Sequence, residues 1–319
     1  MLVASSPPAL AEKPSESGIL SMNFENDLFY DTDHDYTNGV RIAWLSSANE
    51  SPDWIVQAAR LFPLFSGHGH VRTGYALGQS MYTPKDITQK NPPLNDRPYA
   101  GWLYGSIDVI AETDARLDQL GLMVGIVGPS SLAESTQKFI HRVIGVAQPE
   151  GWDTQIKNEL GIVLIYQRSW RQAVDKKTFA GMSYDITPHA GGALGNVFTY
   201  ANTGVTLRIG RPPSLDYGPP RIQPSLPGSG FFVPDRDIDW YFFSGIDIRA
   251  VARNIFLDGN TFGGGRRIDK EPFVGDLQLG FVVIWQRVRL SYTHVLRTRE
   301  FKGQSGGDNF GAMSLSASF

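Results

Sequence analysis

The chain has 319 residues, a formal net charge of -3, a pI near 6.1 and no cysteine. The lack of cysteine excludes disulfides, thiolate nucleophiles and cysteine-ligated zinc, and the charge gives no electrostatic attraction for nucleic acid. No apolar run approaches the roughly 18 residues that a membrane helix needs. The 34 glycines, 18 Phe, 12 Tyr and 7 Trp are typical of strands with tight turns and aromatic belts, so we expect an all-β protein.

The first residues, 1–17, stand apart from the rest by their Pro- and Ser-rich composition. Ala9-Leu10-Ala11 followed by Glu12 resembles a signal-peptide cleavage site, and the alternative is a disordered start. With either interpretation the folded unit is expected to comprise residues 18–319.

A β-hairpin is predicted from Leu20 to Trp44, because apolar residues alternate with polar or small ones in both arms. The connection between the arms is rich in oxygen donors, amides and other polar groups: Asn26, Asp27, Asp31, Asp33, His34, Asp35 and Thr37. We therefore expect chemistry at this end of the hairpin.

Within that connection, Asp31-x-Asp33-x-Asp35 begins like an EF-hand loop. No Gly stands at its sixth position, and its twelfth position is Ile42 instead of Glu, which rejects an EF-hand. The remaining alternatives are another kind of hard-cation site and a solvated acidic loop.

Alternating segments recur along the whole chain, and their number is twelve, an even number as in single-chain bacterial barrels. They lie near residues 20–25, 40–44, 75–81, 102–109, 120–126, 162–166, 179–186, 205–209, 240–249, 277–285, 288–293 and 310–319. Charged residues such as Asp247, Arg249 and Asp276 recur on the face opposite the apolar one. A soluble sandwich is the alternative, but an antiparallel transmembrane β-barrel with a polar interior explains this inversion better. The final strand ends on Phe319, as is common in outer-membrane barrels.

Strand direction places the connections. If the first strand rises from the periplasm, both termini are periplasmic, and the connections 27–36, 84–98 and 127–158 all emerge at the outer end. The Pro- and Gly-rich segment 212–234 is then an irregular loop at the opposite end.

Two short helices interrupt the strands. Residues 51–62 predict an N-capped amphipathic helix that is either a plug or a surface helix. In the connection 127–158, Ser131-x-x-Glu134 has the spacing of a capping box, and Glu134, Gln137 and His141 are expected to share one face of the helix that follows.

His141 is the candidate general base, with a plain packing role as the alternative. Strand direction brings its helix to the same end as Asn26, Asp27 and Thr37, and a base beside amide, hydroxyl and carboxylate groups suits ester hydrolysis. Lys90 lies in another connection at that end, where it would either neutralise a phosphate or oxyanion or remain a solvated lysine.

Four motifs give the chain a family resemblance. They are Glu25-Asn26-Asp27, Asp35-Tyr36-Thr37-x-Gly39, Asn95-Asp96-Arg97-Pro98-Tyr99-Ala100-Gly101, and Gln137-x-x-x-His141-Arg142-x-Ile144-Gly145 running to Trp152 and Gln155. With these motifs the chain resembles the outer-membrane lipid A 3'-O-deacylases, twelve-stranded barrels that hydrolyse the 3' acyl ester of lipid A and need calcium. The resemblance covers nearly all of the chain after residue 17.

The resemblance implies a role for each matching residue. His141 would be the base, and Asn26, Asp27 and Thr37 would complete the catalytic set. The calcium is expected near Asp27 rather than at Asp31, Asp33 and Asp35, because Asp27 has the inward parity of Ser21, Asn23 and Glu25 whereas the triplet lies in the middle of a loop. Substrate contacts would come from Gln137 and, through a looser match, from Lys90. A Glu and a Tyr that follow the histidine in the family correspond here to Ala147 and Pro149.

The sequence thus predicts a monomeric outer-membrane barrel with its active site facing the outside, lipopolysaccharide as its substrate and no nucleic-acid partner. Two rivals stay open. One is a phospholipase-type esterase that uses the same groups, and the other is a non-catalytic barrel that serves as a pore or structural protein.

Overall fold

The structure is a computed structural model. It describes most of the chain. For 35–37 and 174–177 only the backbone is described. The described residues are 17–26, 35–113, 116–170, 174–177, 182–211, 216–219, 221–222, 230–234 and 236–319.

The strands form one closed antiparallel sheet. In chain order they are β1 (Ile19–Asn26), β2 (Asp35–Leu45), β3 (His70–Thr83), β4 (Ala100–Glu112), β5 (Arg116–Val127), β6 (Glu159–Trp170), β7 (Val174–Lys177), β8 (Ser183–Gly195), β9 (Phe198–Arg211), β10 (Ile238–Asn254), β11 (Phe273–Trp285), β12 (Val288–Arg297) and β13 (Asp308–Ser318). Neighbours in sequence are neighbours in space, and β1 pairs with β13. The short β7 continues the line of β6, because both pair with β8. The barrel therefore has twelve strand positions, and the predicted fold is confirmed.

Both described chain ends lie at one end of the barrel, where Gly18 and Phe319 exchange backbone hydrogen bonds of 3.1 and 3.0 Å. We call this the terminal end and the opposite one the loop end. The connections 84–99 and 128–158 lie at the loop end, and β1 ends and β2 begins there, as strand direction predicted.

The two faces of the sheet differ in polarity. On β1 the side chains of Ser21, Asn23 and Glu25 are buried in the lumen, whereas Leu20 and Met22 are exposed on the outside. The same alternation holds along β13 and the other strands. Because lipid accepts the apolar outer face and the lumen accepts the polar one, the pattern is that of a membrane-spanning barrel.

Charges in the lumen are paired across strands. Asp276 accepts hydrogen bonds from Arg249 at 3.1 Å and from Arg297 at 2.8 Å, and Asp247 accepts from Arg249 at 3.0 Å. His189 Nε2 lies 3.0 Å from Asp247 Oδ2. Such pairing offsets the cost of removing these charges from water.

The connection between β9 and β10 enters the lumen. We call its described residues 216–219, 221–222 and 230–234 the lumen plug. Arg221 donates to Glu25 of β1 at 2.6 Å, and Asp216 accepts from Tyr241 at 2.8 Å. Phe231 and Phe232 are fully buried. The sequence predicted an irregular loop here, and the structure adds that the described part of this loop lies inside the barrel.

The helices are α1 (Asp53–Arg60), α2 (Ala133–Ile144) and α3 (Ile255–Asp258), and none of them is long and apolar enough to cross a membrane. Helix α1 packs against the outer wall through Ile55 and Ala59. Of the two alternatives for this segment, the surface helix is thus the observed one. The predicted N-cap is wrong, because Pro52 holds the N-cap position without a side-chain hydrogen bond.

Candidate active site

Helix α2 lies at the loop end between two left-handed residues. Leu132 precedes it with φ 61°, and Gly145 ends it with φ 76° and a hydrogen bond from its N–H to the His141 carbonyl. The predicted capping box is absent, since Leu132 occupies the N-cap position and Glu134 instead accepts a hydrogen bond from Lys138 at 2.6 Å.

The helix rests on the outer surface of the barrel. Ala133 packs with Met81, which has the outward parity of β3. Gly101 makes this approach possible, because a Cβ built there would meet the Ala133 Cβ at 2.3 Å. Gln79 of β3 also donates to the Ser131 carbonyl at 2.7 Å. The site therefore lies between a helix and the outer wall, outside the lumen.

The buried face of α2 consists of Ala133, Gln137 and His141, spaced four residues apart. The sequence placed Glu134 on this face together with Gln137 and His141. Glu134 is instead half-exposed and pairs with Lys138. The two polar groups facing the wall are thus an amide and an imidazole.

His141 is only 3% exposed, and its Nδ1 lies 2.5 Å from the Ala147 carbonyl oxygen. Because a carbonyl oxygen only accepts, Nδ1 must carry a proton. In the neutral ring the lone pair is then on Nε2, the arrangement that a general base needs. The group that holds the imidazole is thus the backbone carbonyl of Ala147. Ala147 is the residue that the family resemblance matched to a glutamate.

Gln137 is oriented by an aromatic neighbour. Its Oε1 accepts a hydrogen bond from Trp152 Nε1 at 2.8 Å, and Trp152 in turn packs on Tyr99 with ring centroids 4.9 Å apart. Among the described residues, Gln137 Nε2 has no hydrogen-bond partner although it is buried. A donor held in place without an acceptor is suited to a ligand oxygen.

Two asparagines extend the buried polar surface across the wall. Asn26 has the parity of the outward-facing Met22, and Asn38 that of Ile42. The strand register pairs Asn26 with Asn38 and Asn38 with Met81, the residue that contacts α2. Both asparagines are buried, and neither side-chain atom of Asn38 has a hydrogen-bond partner within the described chain.

The other predicted site residues lie outside the described part of the chain, are described only at the backbone, or lie apart from the site. Asp27 and the Asp31 and Asp33 carboxylates lie outside the described residues, and the description of Thr37 stops at its backbone. Lys90 is 79% exposed at its side chain, and its Nζ lies 3.9 Å from Glu150. The structure thus puts Lys90 at the surface of the loop end, apart from the buried face of α2.

Sequence reasoning missed three contributors, namely Asn38, the Trp152 indole and the Ala147 carbonyl. Asn38 had a detectable signal, because it is an amide on the lipid-facing parity of β2, ahead of Val40 and Ile42. Trp152 and Ala147 were noted in the comparison with the family, but their contacts with α2 could not be predicted, since both depend on how the connection 128–158 folds back.

The donor set suits a hard cation. Calcium takes oxygen ligands, including amide carbonyls, and Asn38 Oδ1 is a buried oxygen that accepts no hydrogen bond from the described residues. Within the described part of the chain, no group of three or more His, Cys, Asp or Glu side chains could hold a metal. The carboxylate of Asp27, which follows Asn26 directly in the sequence, lies outside the described residues.

Comparison with known proteins gives a consistent result. The family model described as outer membrane protein LpxR matches residues 1–319. LpxR from Salmonella typhimurium is 19% identical and superposes with a TM-score of 0.75 over 94% of this chain and 100% of that chain. The β domain of the Bordetella autotransporter Brka has 7% identity and a TM-score of 0.46 over 96% and 99%, too low to support an argument. No curated protein matches the sequence.

A closed twelve-stranded barrel with an apolar exterior and a charged, plugged interior defines an outer-membrane protein, and this one carries a buried histidine and amides on its outer wall. The chain belongs to the LpxR family of outer-membrane proteins.

Proposed function

We propose that this protein is a lipid A 3'-O-deacylase, a hydrolase that releases the 3'-linked acyl chain of lipid A. The observation that carries the proposal is His141, buried between α2 and the outer wall with its Nδ1 held by the Ala147 carbonyl. A base on the lipid-facing side of a barrel reaches a membrane lipid without drawing it into the lumen.

The exposed side of α2 supports a lipid substrate. Phe139 and Val143 are 60% and 69% exposed, and Leu132 before the helix is also exposed. Apolar side chains of this size at the outer wall are suited to contact acyl chains. On this proposal the loop end faces outward, both termini are periplasmic, and a monomer is sufficient.

The reaction would begin with proton transfer from water to His141 Nε2. The water oxygen attacks the ester carbonyl, and a tetrahedral oxyanion forms. Buried amide donors, Gln137 Nε2 and the side chains of Asn26 and Asn38, would stabilise that charge, with Thr37 as a further donor. The imidazolium then returns its proton to the departing 3' hydroxyl, and a fatty acid leaves.

Calcium would be held by Asp27 together with the amide oxygen of Asn26 and the Thr37 hydroxyl, which are ligands of the type it prefers. When bound, it would neutralise negative charge at the reacting ester. Lys90 would assist through attraction to a lipid A phosphate, because its ammonium group stands at the loop-end surface.

Mass spectrometry of lipid A and phospholipids after expression tests the function. The expected result is the loss of one 3'-linked acyl chain from lipid A, which disappears in His141→Gln. Loss of acyl chains from phospholipids alone would favour the phospholipase-type esterase, and unchanged lipids in both classes would favour the non-catalytic barrel.

The cation site has its own test. Asp27→Ala and chelation of divalent ions should each abolish cleavage, whereas changing Asp31, Asp33 and Asp35 together to Asn should leave most of it. The opposite outcome, an inactive triple variant beside an active Asp27→Ala with unchanged calcium dependence, would place the cation in the acidic loop.

A further inference from the structure

A groove of about 480 Å³ runs along the outer wall where β6 meets β8. Its floor is formed by the small outward-facing residues Ala190 and Gly192, and its sides by bulky ones: Leu164, Tyr166, Trp170, Leu194 and Phe62. This volume falls within the range of small-molecule binding sites. The groove is separate from α2, which contacts β3 and β4.

The segment after α1 builds one side of this groove. Arg168 Nη2 donates to the Leu64 carbonyl at 2.8 Å, and Tyr166 Oη lies 3.0 Å from the same oxygen and 2.8 Å from Asp118 Oδ1. Phe62 packs on Tyr166 with ring centroids 5.1 Å apart. The wall of the groove is therefore fixed by polar and aromatic contacts.

Among the described side chains, positive charge exceeds negative charge at the terminal end of the groove. Asp118 accepts from Arg168 Nε at 2.6 Å and lies 3.2 Å from Arg116 Nε. Two guanidinium groups thus share one carboxylate, beside the exposed Trp170 that pairs with Arg116 in the strand register. Within the described structure, Arg168 Nη1 makes no hydrogen bond. Arg and Trp at such a position are typical of the lipid head-group region.

We propose that this groove binds one phosphoglycerolipid, with an acyl chain along Ala190 and Gly192 and the phosphate at Arg116 and Arg168. The groove opens on the same outer face as the exposed apolar side chains of the barrel. It therefore faces the hydrocarbon of the membrane. Two guanidinium groups that share one carboxylate among the described residues favour a phosphate-bearing head group. On the orientation proposed above, the lipid belongs to the periplasmic leaflet, opposite to the leaflet of the substrate.

Filling the groove tests the proposal. Delipidated protein in detergent is mixed with phosphatidylglycerol, and bound lipid is counted by native mass spectrometry. The expected result is one retained lipid per barrel. Ala201 of β9 also lines the groove. Ala190→Phe and, independently, Ala201→Phe should lower the affinity for the lipid by about tenfold or more, because each displaces several methylene groups. Ala317→Phe, an outward alanine on the opposite side of the barrel, is the matched control and should retain the lipid.

Two further arms separate the head group from the chain. Diacylglycerol, which lacks the phosphate, should bind weakly, and Arg116→Gln should reduce binding of phosphatidylglycerol towards that level.

Heat-modifiable mobility on a denaturing gel verifies that each variant is folded. Lipid A cleavage should be unchanged in Ala190→Phe, so an inactive native protein would contradict the proposed function without affecting this test. Equal lipid retention in the native protein and both Phe variants, or retention of lipid A in preference to phosphatidylglycerol, would overturn the proposal.

Discussion

His141 and its partners illustrate how single residues prepare the site. The imidazole is held by a backbone carbonyl and the neighbouring Gln137 by an indole, so both polar groups are fixed before any ligand arrives. Such preorganisation is effective because no reorientation is needed during the reaction.

Trp152→Phe should lower lipid A cleavage while the barrel stays folded. The change removes the indole N–H and leaves Gln137 Oε1 buried without its donor, at a cost of about 1–3 kcal/mol. Gln137 then loses its fixed orientation. Cleavage rates on purified lipid A give the measurement, and Trp54→Phe, on the exposed side of α1, should behave like the native protein.

Asn38→Leu should separate stability from activity. The native amide is buried with neither atom hydrogen-bonded among the described residues, and replacing it with an apolar side chain of similar size should stabilise the barrel by about 1–3 kcal/mol. Cleavage should nevertheless fall, since the amide is lost from the site. If Asn38→Leu cleaves lipid A at the native rate, Asn38 has no functional role. If the variant is less thermally stable than the native protein, the buried amide does not carry the expected stability cost.

At the scale of elements, α2 depends on the surface on which it rests. The motif that contains Arg97 and Gly101 shows this dependence, because Arg97 is buried and ion-paired with Glu300 at 2.6 Å, while Gly101 leaves room for the helix. A sequence motif that contributed to the family resemblance thus includes residues with structural contacts, an ion pair at Arg97 and helix packing at Gly101.

Gly101→Ala should impair cleavage by displacing α2. Its new Cβ would meet the Ser131 Oγ at 2.2 Å and the Ala133 Cβ at 2.3 Å, closer than atoms can approach. Gly105→Ala is the matched control on the same strand and the same face, since its nearest neighbour would be the Ala76 carbonyl oxygen at 3.8 Å. Cleavage and limited proteolysis of the connection 128–158 are measured for both, and equal behaviour of the two variants would refute the packing argument.

For the whole molecule, we expect the lumen plug to control whether the barrel conducts ions. Asp216 is bonded to Tyr241 and lies 3.3 Å from Arg289, and Arg221 joins Glu25 and Gln278. The plug is therefore attached to several strands of the wall by hydrogen bonds and ion pairs.

The native protein should show no stepwise conductance in planar bilayers. Replacing 213–235 with a short Gly/Ser linker should open the lumen and produce ion channels, because the polar wall would then face water. Shortening the connection 262–265 at the loop end is the control and should leave the barrel closed. Large conductance by the native protein would support the pore rival.

Several features could be predicted from sequence because they are local. Period-two alternation along β1 or β13 requires only neighbouring residues, and a polar face opposite an apolar one already implies a barrel in lipid. Strand direction then fixes which connections share an end, so His141 and Asn26 were correctly brought to one end of the barrel. Their catalytic roles remain predictions.

The sequence by itself determined the alternating strands, their number and the end at which each connection lies, since these follow from side-chain period and chain direction. Only the tertiary structure decided that α2 lies on the outer wall, that α1 is not the plug, and that residues 216–234 enter the lumen in part. Those outcomes depend on contacts between distant segments, such as Gly101 with Ala133 and Arg221 with Glu25. The physical reason is that alternation along a strand shows which residues share a face, but not which distant segment packs against that face. That choice is made when the barrel closes and the loops pack.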